Sequence, residues 1–411
     1  MTTPSVAGAA EDKTASPTWE MVVMLASFLA LNALAIDIML PSLGLIASDL
    51  NLTDPNDQQL VVITYVLGFG APQMIFGPIA DRFGRRPVLF VSLVGYILTG
   101  SACAYAPHFT VLLALRFTQG VFAAGCRVVA IAVVRDRYAG APMARTMSLI
   151  LTVFMVVPIL APALGQAITS AAGWRACFFF LSIAGAILFV WSFLRLEESL
   201  PPEKRRNLSL RSAFEAYRGV FQQRATLGYM LGGGVFFGAL FAFLSSAEQI
   251  FREVFGLGDT FAYWFAGVAI ALSVVNFANS RLVMRFGMRR LSHAALFIFC
   301  TVVSLLLTVT QFTSSFVVFY PLFALTFGFF GLIGANFNAI AMQAQGSAAG
   351  SASAAYGFAT TTISALIGGF IGRQYDGTTT PLLLGFLAIG VVTLVIVAIT
   401  ERGKLFREDA A

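Results

Sequence analysis

The sequence predicts an all-α membrane protein: twelve transmembrane helices in two six-helix halves, with both termini cytoplasmic. Three observations carry this. Of the 411 residues 58% are hydrophobic and only 11% charged, with a mean hydropathy of +0.83, whereas a soluble domain carries about a quarter of its residues as Asp, Glu, Lys or Arg. Apolar runs long enough to cross a bilayer, about 20 residues each, recur along the whole chain. The basic residues collect on one side of the zigzag those runs define.

This composition excludes a cytosolic enzyme, a disordered tail protein and a nucleic-acid-binding domain. Cys103, Cys126, Cys177 and Cys300 all lie in apolar runs, with no CxxC and no histidine spaced for a metal. The two histidines, His108 and His293, are too few for a His-based zinc or haem site. No GxxxxGK[ST] is present, so no ATPase motor is fused to the chain. Neither cofactor nor metal is expected. The first residues lack the basic and small-residue features of a signal peptide, so the mature chain is expected to begin at Met1 with a disordered cytoplasmic lead, residues 1–18.

The N-terminal half, residues 19–196, holds apolar runs at Trp19 to Leu43, Gln58 to Ala80, Pro87 to Ala106, Phe109 to Val134, Ala144 to Ser170 and Trp174 to Leu196. A polar stretch, 197–224, interrupts the pattern and is read as a cytoplasmic central loop. The C-terminal half, residues 225–400, repeats it at Ala225 to Ala247, Thr260 to Val283, Leu291 to Val309, Phe316 to Met342, Ser351 to Gly372 and Pro381 to Thr400. The eleventh run is rich in Ser, Thr, Ala and Gly, and the spacing of Gly368 and Gly372 suits close helix packing, so it is read as a buried span. Residues 401–411 form a cytoplasmic tail.

Of the 26 Lys and Arg residues, only Arg175, Arg252 and Arg373 fall in loops on the outside, while Arg116 and Arg127 lie within the fourth span. The rest are on the side of the termini, which fixes that side as cytoplasmic. The pI of 9.3 follows from this bias and needs no nucleic acid. An internal repeat is also visible: Arg82-Phe83-Gly84 after the second span recurs as Arg285-Phe286-Gly287 after the eighth.

Chemistry concentrates at few positions. Of the 20 acids only Asp37 is well inside a span; Asp81, Asp136 and Glu248 stand at helix ends. A charge at the bilayer centre costs about 2.5 to 3.5 kcal/mol on insertion scales, which makes such a residue functional by default. Asp37 and Arg116 both lie roughly 10 Å below the outer surface at ~1.5 Å per residue, so they can pair, as a coupling site or as a static bridge between the first and fourth spans. Arg127 follows Arg116 by close to three turns and faces the same way, into a cavity or as a brace. The run Gly77-Pro78-Ile79-Ala80-Asp81-Arg82-Phe83-Gly84-Arg85-Arg86 combines a glycine for close approach, a turn glycine and an acid able to meet a helix N-terminus or Arg85. Asp136, at the inner end of the fourth span, is the natural ion partner of Arg85. In the fifth span Pro158 and Pro162 free backbone carbonyls ahead of Gly165.

These residues resemble known motifs. Gly77 to Arg86 is similar throughout to the loop motif of the major facilitator superfamily, G-x-L-x-D-R-x-G-R-R, which implies parallel halves around a central cavity and a cytoplasmic gate at Gly77, Asp81, Arg82, Gly84, Arg85, Arg86 and Asp136. Leu112-x-x-x-Arg116-x-x-Gln119-Gly120 resembles the fourth-helix motif of proton-linked members. Pro158 to Gly165 resembles the antiporter motif, with Val157 and Gln166 where glycines are common. Ala35 to Pro41, Val134-Arg135-Asp136, Gly173-Trp174-Arg175 with Phe178, Ala335-Asn336 and Ala349 to Ala354 look like the Bcr/CflA group of drug:proton antiporters. The resemblance implies export of drug-like compounds driven by inward protons, from the bacterial inner membrane, by a multi-pass protein expected to act as a monomer. The second acid of some cation-accepting members is absent, its positions being Leu29 and Ala30, with Asn32 the nearest polar group.

Asn32, Tyr65, Arg127, Phe154, Met155, Phe236, Phe241, Asn336, Asn338 and Tyr356 are candidates for the cavity wall, because apolar pockets with a few polar groups bind drug-like ligands. Desolvation favours the protonated form of a carboxyl group and a nearby guanidinium its ionised form. Asp37 with Arg116 is thus the expected proton carrier, serving neutral or weakly charged hydrophobic substrates such as amphenicols. The alternative is a metabolite uniporter or importer on the same fold, with Asp37 structural.

Overall fold

The computed structural model describes residues 18–205, 210–343, 345 and 349–406, and every regular element among them is helical. Residues 1–17 of the expected lead and 407–411 of the tail lie outside the described residues. The N-terminal half comprises α1 (Trp19–Asp37), α2 (Leu43–Asp49), α3 (Leu60–Gly70), α4 (Gln73–Phe83), α5 (Arg85–Ala104), α6 (Phe109–Arg137), α7 (Gly140–Ala172) and α8 (Trp174–Arg195). After α9 (Leu210–Gln222) come α10 (Arg224–Gln249), α11 (Phe261–Phe286), α12 (Met288–Thr310), α13 (Phe316–Gln343), α14 (Ala349–Gly372) and α15 (Thr380–Thr400). Among the described residues eleven segments are long and apolar enough to span a bilayer, and α3 with α4, taken as one bent span, supplies a twelfth.

Three local features depart from uninterrupted spans. The second bends by 44° between α3 and α4, where Pro72 has no N–H to continue the ladder. The first stops at Asp37: Met39 N–H turns back to the Ile36 carbonyl, a single 3₁₀ turn from Leu40 to Ser42 carries Pro41, and α2 resumes beyond it. Asp37 is therefore the last residue of a helix that ends inside the bundle. Within the polar stretch read as the central loop, α9 forms. By contrast α7 runs unbroken through Pro158 and Pro162.

The halves repeat one packing scheme. In the first, α1 lies on α7, α6 on α3 and α5, and α5 on α8; in the second, α10 lies on α14, α13 on α11 and α12, and α12 on α15. Gly84 (φ +98°) and Gly287 (φ +77°) occupy equivalent turns in the two halves, a backbone region that glycine enters without steric cost. The halves meet where α14 packs on α3 and α4, and α11 on α7. One end, with the Gly84 turn, the start of α1 and the end of α15, is the terminal end; the other is the far end.

Amides seal the far end. Gln59 Nε2 donates to Gln249 Oε1 at 2.8 Å and to the Gly372 carbonyl at 2.9 Å. Gln249 donates in turn to Asn56 Oδ1 at 3.0 Å, and Asn56 to the Tyr375 carbonyl at 2.8 Å. A Cβ on Gly372 would stand 2.1 Å from Gln59 Oε1 and displace that amide, and one on Gly368 would stand 2.7 Å from the Ala242 backbone nitrogen. The small residues of the eleventh span thus serve helix contact. The terminal end holds a cavity of about 640 Å³.

Candidate functional site

The cavity is walled by α4, α6, α9 and the first two turns of α14, with Gln73 and Arg127 among its lining residues and Asp81, Arg85 and Asp136 on the side of the Gly84 turn. Arg127 Nη1 donates to Gln73 Oε1 at 3.0 Å, and Gln73 Nε2 to Thr361 Oγ1 of α14 at 3.4 Å, a bridge between the halves. Arg135, two turns on along α6, also lines the cavity. Neither arginine has a carboxylate within 4 Å among the described residues. The opposite wall supplies Gly350, Ser351 and Ser353.

At the terminal end Arg85 is clamped by two acids. Its Nη1 donates to Asp81 Oδ1 at 2.6 Å and its Nε to Asp136 Oδ2 at 2.8 Å, so the partner expected for it is in place. Glu198 completes the node: its carboxylate accepts from the Arg85 and Arg86 backbone N–H groups at 2.9 and 3.1 Å, satisfying the free donors that open α5. Sequence reasoning missed Glu198, placed in a loop with no local signature. Arg86 reaches the Phe193 carbonyl at 2.7 Å, whereas Arg82 is exposed. Gly77 differs from expectation. A Cβ there would meet nothing within 4 Å, because the space beside it is the cavity.

Pro78 adds a further tie. A proline at 78 cannot donate to the Met74 carbonyl one turn earlier, and the Tyr217 phenol of α9 donates to that oxygen at 2.8 Å. The central-loop helix thus caps the carbonyl that the loop motif frees. Burial pushes the Tyr217 phenol up to about 12, so it remains a donor throughout the physiological range.

Arg116 is wholly buried and does not line the cavity. Its Nε donates to the Val61 carbonyl at 3.1 Å, Nη1 to Gln119 Oε1 at 2.8 Å and Nη2 to the Ala35 carbonyl at 3.0 Å, with the Tyr65 ring centroid 4.3 Å from its Cζ. Tyr65 donates to Asn32 Oδ1 at 3.1 Å. The depth match with the first span is correct to within a turn, since Ala35 is two residues from Asp37. The ion pair is not formed: no cation lies within 4 Å of the Asp37 carboxylate among the described residues, because backbone carbonyls and Gln119 occupy the guanidinium. Gly120 lets α6 reach the bent second span; its Cβ would lie 2.1 Å from the Tyr65 carbonyl.

Asp37 is 4% exposed. Beside it Gly165 sits so tightly on the first span that a Cβ would stand 2.1 Å from the Ile38 carbonyl, and Ser42 Oγ shares a 2.6 Å hydrogen bond with Thr169 Oγ1 one turn farther along α7. The last residue of the proline motif is thus the contact surface of the helix break that carries the acid.

Of the expected cavity wall, Arg127 alone lines the cavity. Phe236 is fully buried between Phe299 and Phe330, centroids 5.1 and 4.6 Å away, in the core of the C-terminal half. Asn336 braces α13 to α11 through Asn279 at 2.9 Å, and Asn338 is exposed. Met155 accepts from Asn276 at 3.8 Å at the α7–α11 seam, Phe241 packs against Gly368, and the Tyr356 hydroxyl is buried beside Gly233 without a hydrogen bond. Phe154 is half-buried within α7. Helical aromatics read from sequence alone do not reveal which face they turn to a cavity.

Residues 24–369 match the family described as Major Facilitator Superfamily. The chain belongs to that superfamily. Proteins similar to it include the Bicyclomycin resistance protein homolog of Haemophilus influenzae, 28% identical over 92% of this chain and 95% of the relative. The Chloramphenicol resistance protein of Pseudomonas aeruginosa is 31% identical over 65% of this chain and 62% of that one. Among solved structures, an inward-facing bacterial homolog to the human lysosomal transporter Spinster covers 95% of this chain and 97% of its own, with a TM-score of 0.67 at 15% identity. This is a multi-pass inner-membrane transporter of that superfamily.

The loop motif borders the cavity mouth rather than standing remote from it. Arg85→Ala leaves the Asp81 and Asp136 carboxylates facing each other without their shared cation, and is expected to lower turnover about tenfold, or ~1.4 kcal/mol. Asp81→Asn should have a smaller effect in the same direction. Transport kinetics in vesicles check this. Substrate affinity should change less than turnover, because Gln73 and Arg127 are untouched; unchanged turnover would remove the gating role.

Proposed function

We propose that the protein exports small, drug-like, neutral or weakly charged compounds in exchange for protons, with both termini cytoplasmic and the cavity of about 640 Å³ open to the cytoplasm. The observation that carries the reading is Asp37: a buried acid at a helix break, without a paired cation among the described residues, against the glycine of the antiporter-like motif. A carboxyl group so placed is free to change protonation as access alternates. Support for the substrate class comes from the wall, where Arg127 and Arg135 lack carboxylate partners among the described residues while Asp81 and Asp136 are already engaged by Arg85. Arg116 does not enter this charge count, being buried away from the cavity. A dication would meet two guanidiniums at low effective dielectric and no free carboxylate.

Expression in a pump-deficient bacterial host is therefore expected to raise tolerance to neutral amphenicols several-fold more than to dicationic dyes, and Arg127→Ala should narrow that gap. Growth inhibition across compounds from dications to monoanions tests this. Protection against dications with none against neutral drugs would contradict it.

A further inference from the structure

A second buried acid lies at the far end, outside the machinery described so far. Glu248, 3% exposed, stands one residue before the end of α10, ahead of a widened π turn from Ile250 to Val254 that carries its ion partner, Arg252. Such turns recur at functional sites. The pair faces a separate vestibule of about 390 Å³, whose wall also includes Pro41, Gln166, Thr169 and Phe261. It abuts α2 as well: a Cβ on Gly44 would stand 2.8 Å from Arg252 Nη1 and 3.7 Å from Glu248 Oε1. The C-terminal half thus places a carboxylate against the extension of the span that breaks at Asp37.

We propose that Glu248 is a second proton-binding group of the transport cycle, loaded from the outer vestibule and supplying Asp37. The proposal rests on the antiport reading above. One proton from the outer solution binds the Glu248 carboxylate, cancels its charge and releases Arg252 from α2. The same proton then passes by way of the Thr169 and Ser42 hydroxyls, joined at 2.6 Å, to the break at Asp37. Glu248 returns to carboxylate as Asp37 becomes carboxylic acid, so charge and protons balance. The charged and titratable groups facing Glu248 are Arg252 and Glu253 of its own segment and Tyr375 of the loop after α14, which donates to Glu253 Oε2 at 3.0 Å. From α2 and α7 the neighbours are Gly44, Leu45, Gln166, Thr169 and Ser170, none titratable.

Proton counting on the purified full-length protein tests this without knowledge of the substrate. An acid jump in unbuffered detergent solution, from about pH 8 to about pH 5.5, stays above the ordinary carboxylate range, and a pH-indicator dye reads the protons taken up. Wild type is expected to bind one proton more than Glu248→Gln, and Arg252→Gln to complete that uptake at higher pH, since the cation favouring the ionised form is gone. Equal uptake by wild type and Glu248→Gln would reduce the pair to a static ion bridge and overturn the proposal. Should Glu248→Gln fail to insert, Glu248→Asp carries the test: it must shift the pH of uptake, and an unshifted curve overturns the proposal equally. Asp37→Asn is measured in parallel for proton-driven accumulation. Full accumulation by that variant defeats the antiport reading, whereas its loss together with an unaltered Glu248→Gln proton count defeats the Glu248 inference alone.

Discussion

Asp37→Asn is expected to abolish proton-driven accumulation in everted vesicles, roughly tenfold or more, while the protein remains folded and inserted. The amide has the volume of the acid it replaces and removes only the site that takes a proton. Asp37 has no ion pair to lose among the described residues, so the substitution strands no buried cation there, and Arg116 keeps its bonds to Ala35, Val61 and Gln119. Binding of substrate from the cytoplasmic side should persist, since Asp37 does not line the cavity that Arg127 and Gln73 wall. Accumulation at the wild-type rate would show that the proton travels elsewhere.

Gly165→Val is expected to impair both folding and transport. The first carbon of the new side chain would fall 2.1 Å from the Ile38 carbonyl, a backbone atom that cannot swing aside. The cost of forcing α7 away is about 1 to 3 kcal/mol by analogy with overpacked cores, enough to lower the midpoint of a thermal transition by several degrees in detergent. The displaced helix would also uncouple Ser42 from Thr169 and open the break beside Asp37 to water. A normally folded, normally coupled Gly165→Val protein would mean that the α1–α7 contact is not maintained through the cycle.

The spans were legible because each is a long apolar run and the bilayer sets its length. The interruptions were less so: Pro72 breaks the second span and Pro41 stands in the break of the first, while Pro158 and Pro162 lie in an unbroken α7, and only the surrounding packing decides between these outcomes. Arg85 with Asp136 could be read from the resemblance. Glu198 could not, because a carboxylate arriving from a loop more than a hundred residues away leaves no local pattern. The cavity wall was the least legible part. Phe236 and Asn336 have the chemistry of lining residues yet face the core, whereas Arg135 and Ser351, counted as a loop charge and a small packing residue, face the cavity. Side-chain type identifies what a pocket could use, and helix rotation decides what it receives.

The central claim is that substrate and proton move in opposite directions through one coupled protein. Everted vesicles with an acidified interior, supplied externally with an amphenicol, test it most directly through luminal pH. The account predicts luminal alkalinisation on addition of the drug to wild-type vesicles and none with Asp37→Asn. Drug accumulation with no change in luminal pH, or equal alkalinisation in both, would contradict it.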